Sequence, residues 1–374
     1  MSTEYEQLLV IREWVKEIKI EWGFDPNHKP MKTITLKEFS KLELPKEQWL
    51  IKNILPREGF VIIASPSGEK KTWTSMTMAG AVANGTNFLG NKDFSSEKGN
   101  VLYIDEEMSD SEIQRRIKLL GLDETSATIH LASRNNLDFS DEKMIQELYE
   151  FVEQNQIRVV FIDTLRSVAG GLKEDKAEEV RAFLDKFKEF KNKGVVIVFL
   201  DHCRKPAHFE GKIPKKEQLL GSQDKLASVE TLHMVKSEEG NEILFYTRKS
   251  RNGREYSPFK IEMREIVDEN LNPIKIELVY TGKIEEKEYM LDQAKGFVMD
   301  LLLNEGKKRQ EIIEILKKEK KIGEKNISEA IRELEHKDRK IKMIRIGREN
   351  YYEINNDLEN EDQKTKTDDL FDGL

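Results

Sequence analysis

The sequence predicts an α/β protein built on a mostly parallel central sheet, and three observations lead there. Four continuous apolar, β-branched runs (60–63, 100–105, 158–163 and 195–200) have the length and composition of strands buried on both faces. Between them lie amphipathic segments of helical period, the alternation that puts helices on both sides of a parallel sheet. Each run ends in polar residues: Ser65, Asp105 to Glu107, Asp163 and His202. Ligands of such sheets bind outside the carboxyl ends of the strands, so these ends define the candidate site.

In chain order, residues 4–22 carry Leu8, Ile11, Trp14, Val15 and Ile18 at helical spacing, which predicts an N-terminal helix for packing or subunit docking. Residues 23–48 read as a polar linker, and 49–55 lead into the first core strand. Helices are expected over 72–82, 109–120, 144–154 and 177–191, with a short strand over 128–131. From 228 to 281 the pattern changes to short alternating strands (228–235, 243–247, 259–264), an antiparallel extension of the sheet. The expected organisation is an N-terminal helix and linker (1–44), an α/β core (45–282), a separate small unit (287–355) and an acidic tail (356–374).

Composition narrows the function. With 35% charged residues and a formal net charge of −8, a uniformly basic nucleic-acid coat is excluded, though local basic patches are not. The single cysteine, Cys203, allows no intramolecular disulfide and reads as a spectator thiol in a reducing compartment. No apolar stretch is long enough to span a bilayer and residues 1–6 do not begin a signal peptide, so a cytoplasmic protein without membrane contact is expected.

The stretch Ser65-Pro66-Ser67-Gly68-Glu69-Lys70-Lys71-Thr72-Trp73 joins the first core strand to the first core helix. Strand, small-residue loop and helix opening on Lys-Thr are the parts of a phosphate-binding loop. Against G-x-x-x-x-G-K-[ST], Lys71 and Thr72 fit, but Ser65 and Lys70 occupy the two glycine positions. ATP with Mg²⁺ is the expected ligand. Lys71 would hold the β/γ-phosphates, Thr72 and Asp163 the metal, and Glu107, with Glu106 as alternate, would orient the attacking water. The competing readings are a strand–turn–helix with a chance lysine pair, an N-cap at Asp163 and two solvated acids.

These residues also carry a resemblance. Tyr103-Ile-Asp-Glu-Glu107 followed by Ile113-Gln-Arg-Arg-Ile117 resembles the RecA-type ATPases. Phe161-Ile-Asp-Thr-Leu-Arg166 and Phe199-Leu-Asp-His-Cys-Arg-Lys205 are similar to the branch holding the plasmid hexameric replicative helicase, over about residues 45–260. The resemblance implies a RecA-like P-loop NTPase core, with Glu107 as catalytic glutamate, Asp163 as Walker B aspartate and His202 as γ-phosphate sensor. Thr247-Arg-Lys-Ser-Arg251-Asn-Gly253 is similar to the segment with which ring helicases reach a neighbour's nucleotide, so Lys249 and Arg251 would act in trans in a homo-oligomer of about six subunits. The alternative there is a basic hairpin turn at Asn252-Gly253.

In that fold, loops 166–176 and 204–221 would face the channel of a ring. The second carries Arg204, Lys205, Lys212, Lys215 and Lys216, a basic path for single-stranded DNA or else a solvated lysine loop. Residues 287–355 read as a winged helix: three helices (291–303, 308–318, 325–337) and a hairpin over 341–354. Its candidate DNA contacts are Lys325, Arg332, Lys337, Arg339, Arg345 and Arg348, with a protein-binding role as the alternative. In the tail, Asp369-Leu-Phe371 faintly resembles the peptide that docks replication proteins on a sliding clamp. The function expected is a ring-forming, ATP-driven motor on single-stranded DNA, and the rival is a nucleotide-sensing regulator or helicase loader.

Overall fold

The computed structural model describes residues 33–42, 49–173, 176–204, 213–219, 223–238, 240–303, 305–347 and 349–355. The expected N-terminal helix and acidic tail lie outside these residues. The chain divides into two units, 1–46 and 47–374. In the first, the described residues form a single helical turn, Leu36–Phe39, closed by a capping box between Thr35 and Glu38.

The second unit opens on a small hairpin, β1 (Trp49–Ile51) and β2 (Leu55–Pro56), and then alternates strand and helix. The succession is β3 (Gly59–Ser65), α1 (Lys71–Asn84), β4 (Asn100–Asp105), α2 (Asp110–Leu120), β5 (Ile129–Ser133), α3 (Glu142–Gln154) and β6 (Ile157–Asp163). It continues through α4 (Ala177–Asp185), α5 (Lys188–Asn192), β7 (Val196–His202), α6 (Gln223–Ser228), β8 (Thr231–Ser237), β9 (Glu242–Ser250), β10 (Phe259–Val267) and β11 (Pro273–Lys283). Among the described residues these strands make one nine-stranded sheet in the order β11-β10-β9-β8-β3-β7-β6-β4-β5. The five pairings from β8 to β5 are parallel, and β9 to β11 are added antiparallel.

Burial explains the parallel half. Every residue of β3 is buried, as are all but one in each of β4, β6 and β7, because helices cover both faces. Alternate side chains divide into two cores. Val61, Ile63, Tyr103, Phe161 and Val198 lie under α1, while Ile62, Ile104, Ile162, Ile197 and Phe199 meet α3, α4 and α5. The antiparallel strands alternate instead, Phe259, Ile261 and Met263 inward with Lys260 and Glu262 only half-buried.

Three details depart from the sequence reading. The helix expected over 177–191 is two, α4 and α5, broken where Phe187 turns fully inward against Phe139, Phe183, Phe190 and Phe199. The strand β8 joins the sheet parallel to β3 before the antiparallel run begins. The long strand β11 was not foreseen: at its exposed start, Pro273 to Lys275, it lacks inward alternation.

The C-terminal part comprises α7 (Glu286–Leu302), β12 (Lys307–Lys308), α8 (Arg309–Lys320), α9 (Glu324–His336), β13 (Ile341–Ile346) and β14 (Glu349–Ile354). Its strands pair antiparallel in the order β12-β14-β13. Val298, Met299, Ile312, Leu316, Ile327, Ile331, Leu334 and Tyr352 form its own apolar core.

Candidate active site

The strand ends bring one set of polar groups together. Ser65 at the end of β3 pairs in register with His202 at the end of β7. On the next strand Asp163 lies level with Leu200, and beyond it Asp105 lies level with Asp163. Since β7 stands between β3 and β6, His202 is placed between the loop and the acidic ends.

The loop answers the question of its missing glycines. Ser65 continues β3 as an ordinary strand residue, fully buried, with its hydroxyl donating to the Pro66 carbonyl at 2.9 Å. No glycine conformation is required there. Gly68 does have φ +86°, and Lys70 adopts the left-handed region at φ 61°, ψ 20°. Lys70 thus takes a backbone geometry that costs a side-chain-bearing residue about 1 kcal/mol. Its carbonyl accepts the first helical bond, from the Thr74 N–H at 3.1 Å. The N–H groups of Lys71, Thr72 and Trp73 therefore open α1 without intrahelical acceptors, an anion-binding arrangement.

Around that helix start, Lys71 Nζ lies 3.5 Å from His202 Nδ1 and is 7% exposed. The Thr72 hydroxyl donates to Asp163 Oδ2 at 2.7 Å. His202 Nε2 is 3.7 Å from Glu107 Oε1, which also accepts the Thr164 hydroxyl at 2.8 Å. Lys71, His202, Glu107, Thr164, Asp163 and Thr72 thus form one cluster.

Two further carboxylates divide the labour. Glu106 accepts backbone N–H groups of Asn135, Asn136 and Leu137 at 3.1, 3.0 and 3.4 Å, so it fastens the loop after β5 and faces away from the cluster. Asp105, fully buried, accepts the N–H groups of Glu107 and Met108 at 2.9 and 2.8 Å through Oδ1, holding the turn that carries Glu107. Its Oδ2 is buried without a hydrogen-bond partner. Sequence reasoning placed Asp105 at a strand end but gave it no role; its only signal was adjacency to the Glu pair.

Electrostatics follow from burial. Desolvation pushes Asp163 up to about 7, with the Thr72 hydrogen bond opposing and the Asp105 charge reinforcing. Asp105 is raised for the same first reason. A divalent cation would relieve both. Thr72 and Asp163 offer hard oxygen donors, and the orphaned Asp105 oxygen lies behind them, which fits Mg²⁺ completed by phosphate and water. Among the described residues no group of three or more His, Cys, Asp or Glu could hold a metal by itself. Burial also pushes the Cys203 thiol up to about 12, so it is no nucleophile at neutral pH.

Several expected positions lie elsewhere. The Glu69 carboxylate accepts the Ser237 N–H at the end of β8 and so braces the loop from outside. Trp73 is buried in the core with Arg116 stacked 4.7 Å above its ring, so only its backbone remains at the site. Lys249 and Arg251 are not at this edge of the sheet. The Arg251 N–H donates to the Glu230 carbonyl and the Glu230 N–H to the Phe60 carbonyl, about 16 Å along the strand from Ser65. Both cationic groups rest on the last carbonyls of α6, Lys249 on Leu226 and Ala227, Arg251 on Ala227.

Of the basic loop, Lys205 and Lys212 lie outside the described residues, as does Arg348 of the C-terminal hairpin. Arg204 and Lys216 are exposed, but Lys215 is committed to Asp300 of α7 at 2.7 Å and offers no free charge. In the C-terminal part Lys325, Arg332 and Arg345 are exposed, Arg332 lying 3.6 Å from Glu329.

Residues 27–208, just under half of the chain, match the family model described as an AAA domain. A solved structure of a helicase ATPase domain is 14% identical with a TM-score of 0.44, the match covering 74% of this chain and 100% of that one. No curated protein matches the chain. The sheet order, the loop opening α1 and the family match define the class: this chain carries a RecA-like P-loop ATPase core. More particularly, it resembles the ATPase cores of replicative helicases.

Proposed function

We propose that the chain is an ATP-dependent motor on single-stranded DNA that assembles as a ring, of about six copies, and separates strands by translocating. The observation that supports this best is the split of the functional groups between two edges of one sheet. Lys71, Thr72, Asp163, His202 and Glu107 gather at the carboxyl ends of the strands. Lys249 and Arg251 sit at the opposite end of β3 and β8, beyond reach of their own loop. An arginine placed there can serve only a neighbouring copy's triphosphate.

In this reading the helix start and Lys71 hold the phosphates, and Thr72 and Asp163 would hold Mg²⁺, which when bound neutralises developing phosphate charge. Glu107, steered by Thr164 and His202 and held by Asp105, orients the attacking water and takes its proton. His202, within reach of both Lys71 and Glu107, registers whether the terminal phosphate is present. The exposed Arg204 and Lys216, with Lys205 and Lys212, would follow a phosphate backbone without reading sequence. The C-terminal part, with the helix and strand order of a winged helix, would contact DNA through Lys325, Arg332, Arg345 and Arg348. Among the described residues no helix is long and apolar enough to cross a membrane.

The test is ATP turnover with and without single-stranded DNA, beside Lys71→Ala and Glu107→Gln, with sizing in the presence of an ATP analogue. Stimulated turnover lost in both variants, and a nucleotide-dependent ring, are expected. Turnover unchanged in both variants defeats the site assignment. A second reading, a nucleotide-sensing regulator or helicase loader, is favoured by one observation: Lys215 is already neutralised by Asp300. It predicts nucleotide binding without turnover and duplex-specific affinity. Binding of the sliding clamp by the tail would be lost on deleting the last seven residues.

A further inference from the structure

Asp201 immediately precedes His202 on β7 and is almost fully buried. Its Oδ1 accepts the His202 N–H at 2.8 Å, and its Oδ2 accepts the Lys225 ammonium at 2.6 Å. The side chain of Lys225 is wholly buried too. A buried ion pair is seldom more stabilising than apolar side chains of the same volume, but it is rigid and directional. This one fastens α6 to the strand that carries His202.

The other end of α6 holds different partners. Its final carbonyls, on Leu226 and Ala227, accept Lys249 and Arg251, cations that complement both the unpaired carbonyls and the negative end of the helix dipole. A continuous set of charge-assisted hydrogen bonds therefore runs from His202 through Asp201 and Lys225, along one short helix, to Lys249 and Arg251. It connects the nucleotide edge of the sheet with the edge facing away from it.

We propose that Asp201 and Lys225 are positioning residues that couple occupancy of a chain's own nucleotide site, felt at His202, to the release of Lys249 and Arg251 toward the next copy. The proposal rests on the ATPase reading above. When a bound phosphate shifts His202, its backbone N–H displaces the Asp201 carboxylate, Lys225 follows, and the carbonyl end of α6 changes its hold on the two cations. Linkage makes the coupling reciprocal: engagement of Arg251 by a neighbour's phosphate alters nucleotide affinity at the first site. A plain cross-link between α6 and β7 would show neither effect.

The experiment is hydrogen exchange on the full chain, with and without Mg²⁺ and a non-hydrolysable ATP analogue, in the wild type and in Asp201→Asn/Lys225→Met. The double variant keeps an acceptor for the His202 N–H and the aliphatic bulk of Lys225, and leaves no buried charge unpaired. In the wild type the analogue is expected to slow exchange over 66–74 and to change it over 225–228 and 247–252. In the double variant the first response persists and the second is lost. A response at 247–252 that survives the double substitution overturns the proposal, since subunit contact alone would produce it. So does a wild-type response confined to 66–74, a result that needs no variant to fold. Absence of any response at 66–74 in the wild type instead removes the nucleotide reading, and the coupling with it.

Discussion

Lys70 shows how one position can break a motif in sequence and keep it in geometry. The chain needs φ near +60° to turn from the loop into α1, and a lysine supplies it against its preference. Lys70→Gly relieves that strain but loosens the unfolded chain, so a net gain of roughly 0.5–1 kcal/mol is expected. Chemical denaturation checks it, and analogue affinity in the same variant reads whether the Lys70 ammonium touches phosphate. The Glu106–Glu107 pair is separated just as sharply. Glu107→Gln should lower single-turnover hydrolysis by about 100-fold or more while analogue binding is retained. Glu106→Gln should leave the chemical step nearly untouched and instead destabilise the fold by about 1–2 kcal/mol, because three backbone N–H groups lose a charged acceptor. Equal effects of the two substitutions on single-turnover rate would contradict the assignment.

Among the elements, β8 matters because it adds a strand to the parallel half and carries a histidine wholly inside the fold. His233 Nε2 meets the Ile54 carbonyl at 2.8 Å and Nδ1 meets the Thr247 hydroxyl at 3.2 Å, tying the β1–β2 hairpin and β9 to β8. Desolvation lowers its pKa to about 4, against an ordinary value of 6.5. Between those values the unfolded chain binds a proton that the folded chain refuses. The stability is present above about pH 6.5 and lost as pH falls through 4, in total roughly 3 kcal/mol. Urea midpoints of the wild type at pH 7.5 and 4.5 should reveal that loss, and His233→Asn should be weaker at pH 7.5 but flatter with pH. The start of β3 sets a steric limit: Gly59 has φ +106°, and a Cβ there would lie 2.5 Å from Glu230 Oε2. Gly59→Ala should cost several kcal/mol, because it strains the backbone and displaces a buried carboxylate that holds the Phe60 N–H.

For the whole molecule, the decisive relation is between copies. If Arg251 serves a neighbour, Arg251→Ala should abolish stimulated turnover while leaving analogue affinity within a few-fold. Mixing Arg251→Ala chains with Lys71→Ala chains should then restore part of the activity, because each supplies what the other lacks. No recovery, with mixed rings verified by sizing, would place Arg251 outside the reaction. Lys249 adds a pH signature. Desolvation and the Arg251 charge lower its pKa to about 8, so its cation is present below that value and lost above it. Any trans contribution from Lys249 should fall as pH rises through 8, and Lys249→Arg should move that fall beyond the range tested.

The sequence by itself determined the alternation of strands and helices, and with it which residues end the strands. Full-length apolar runs can be buried only on both faces, so Ser65, Asp105, Asp163 and His202 had to emerge at one edge. Local pattern could not reveal which strands are neighbours. Only the tertiary structure puts β7 between β3 and β6, bringing His202 within reach of both Lys71 and Glu107, since strand order depends on pairings far apart in the chain. The same holds for the two glutamates, alike in sequence until Glu106 finds the loop after β5, and for Lys215, whose charge Asp300 claims from 85 residues away. It holds too for Lys249 and Arg251. Their motif was legible, but their place at the far edge of the sheet follows from β8 lying parallel to β3 and β9 returning beside it.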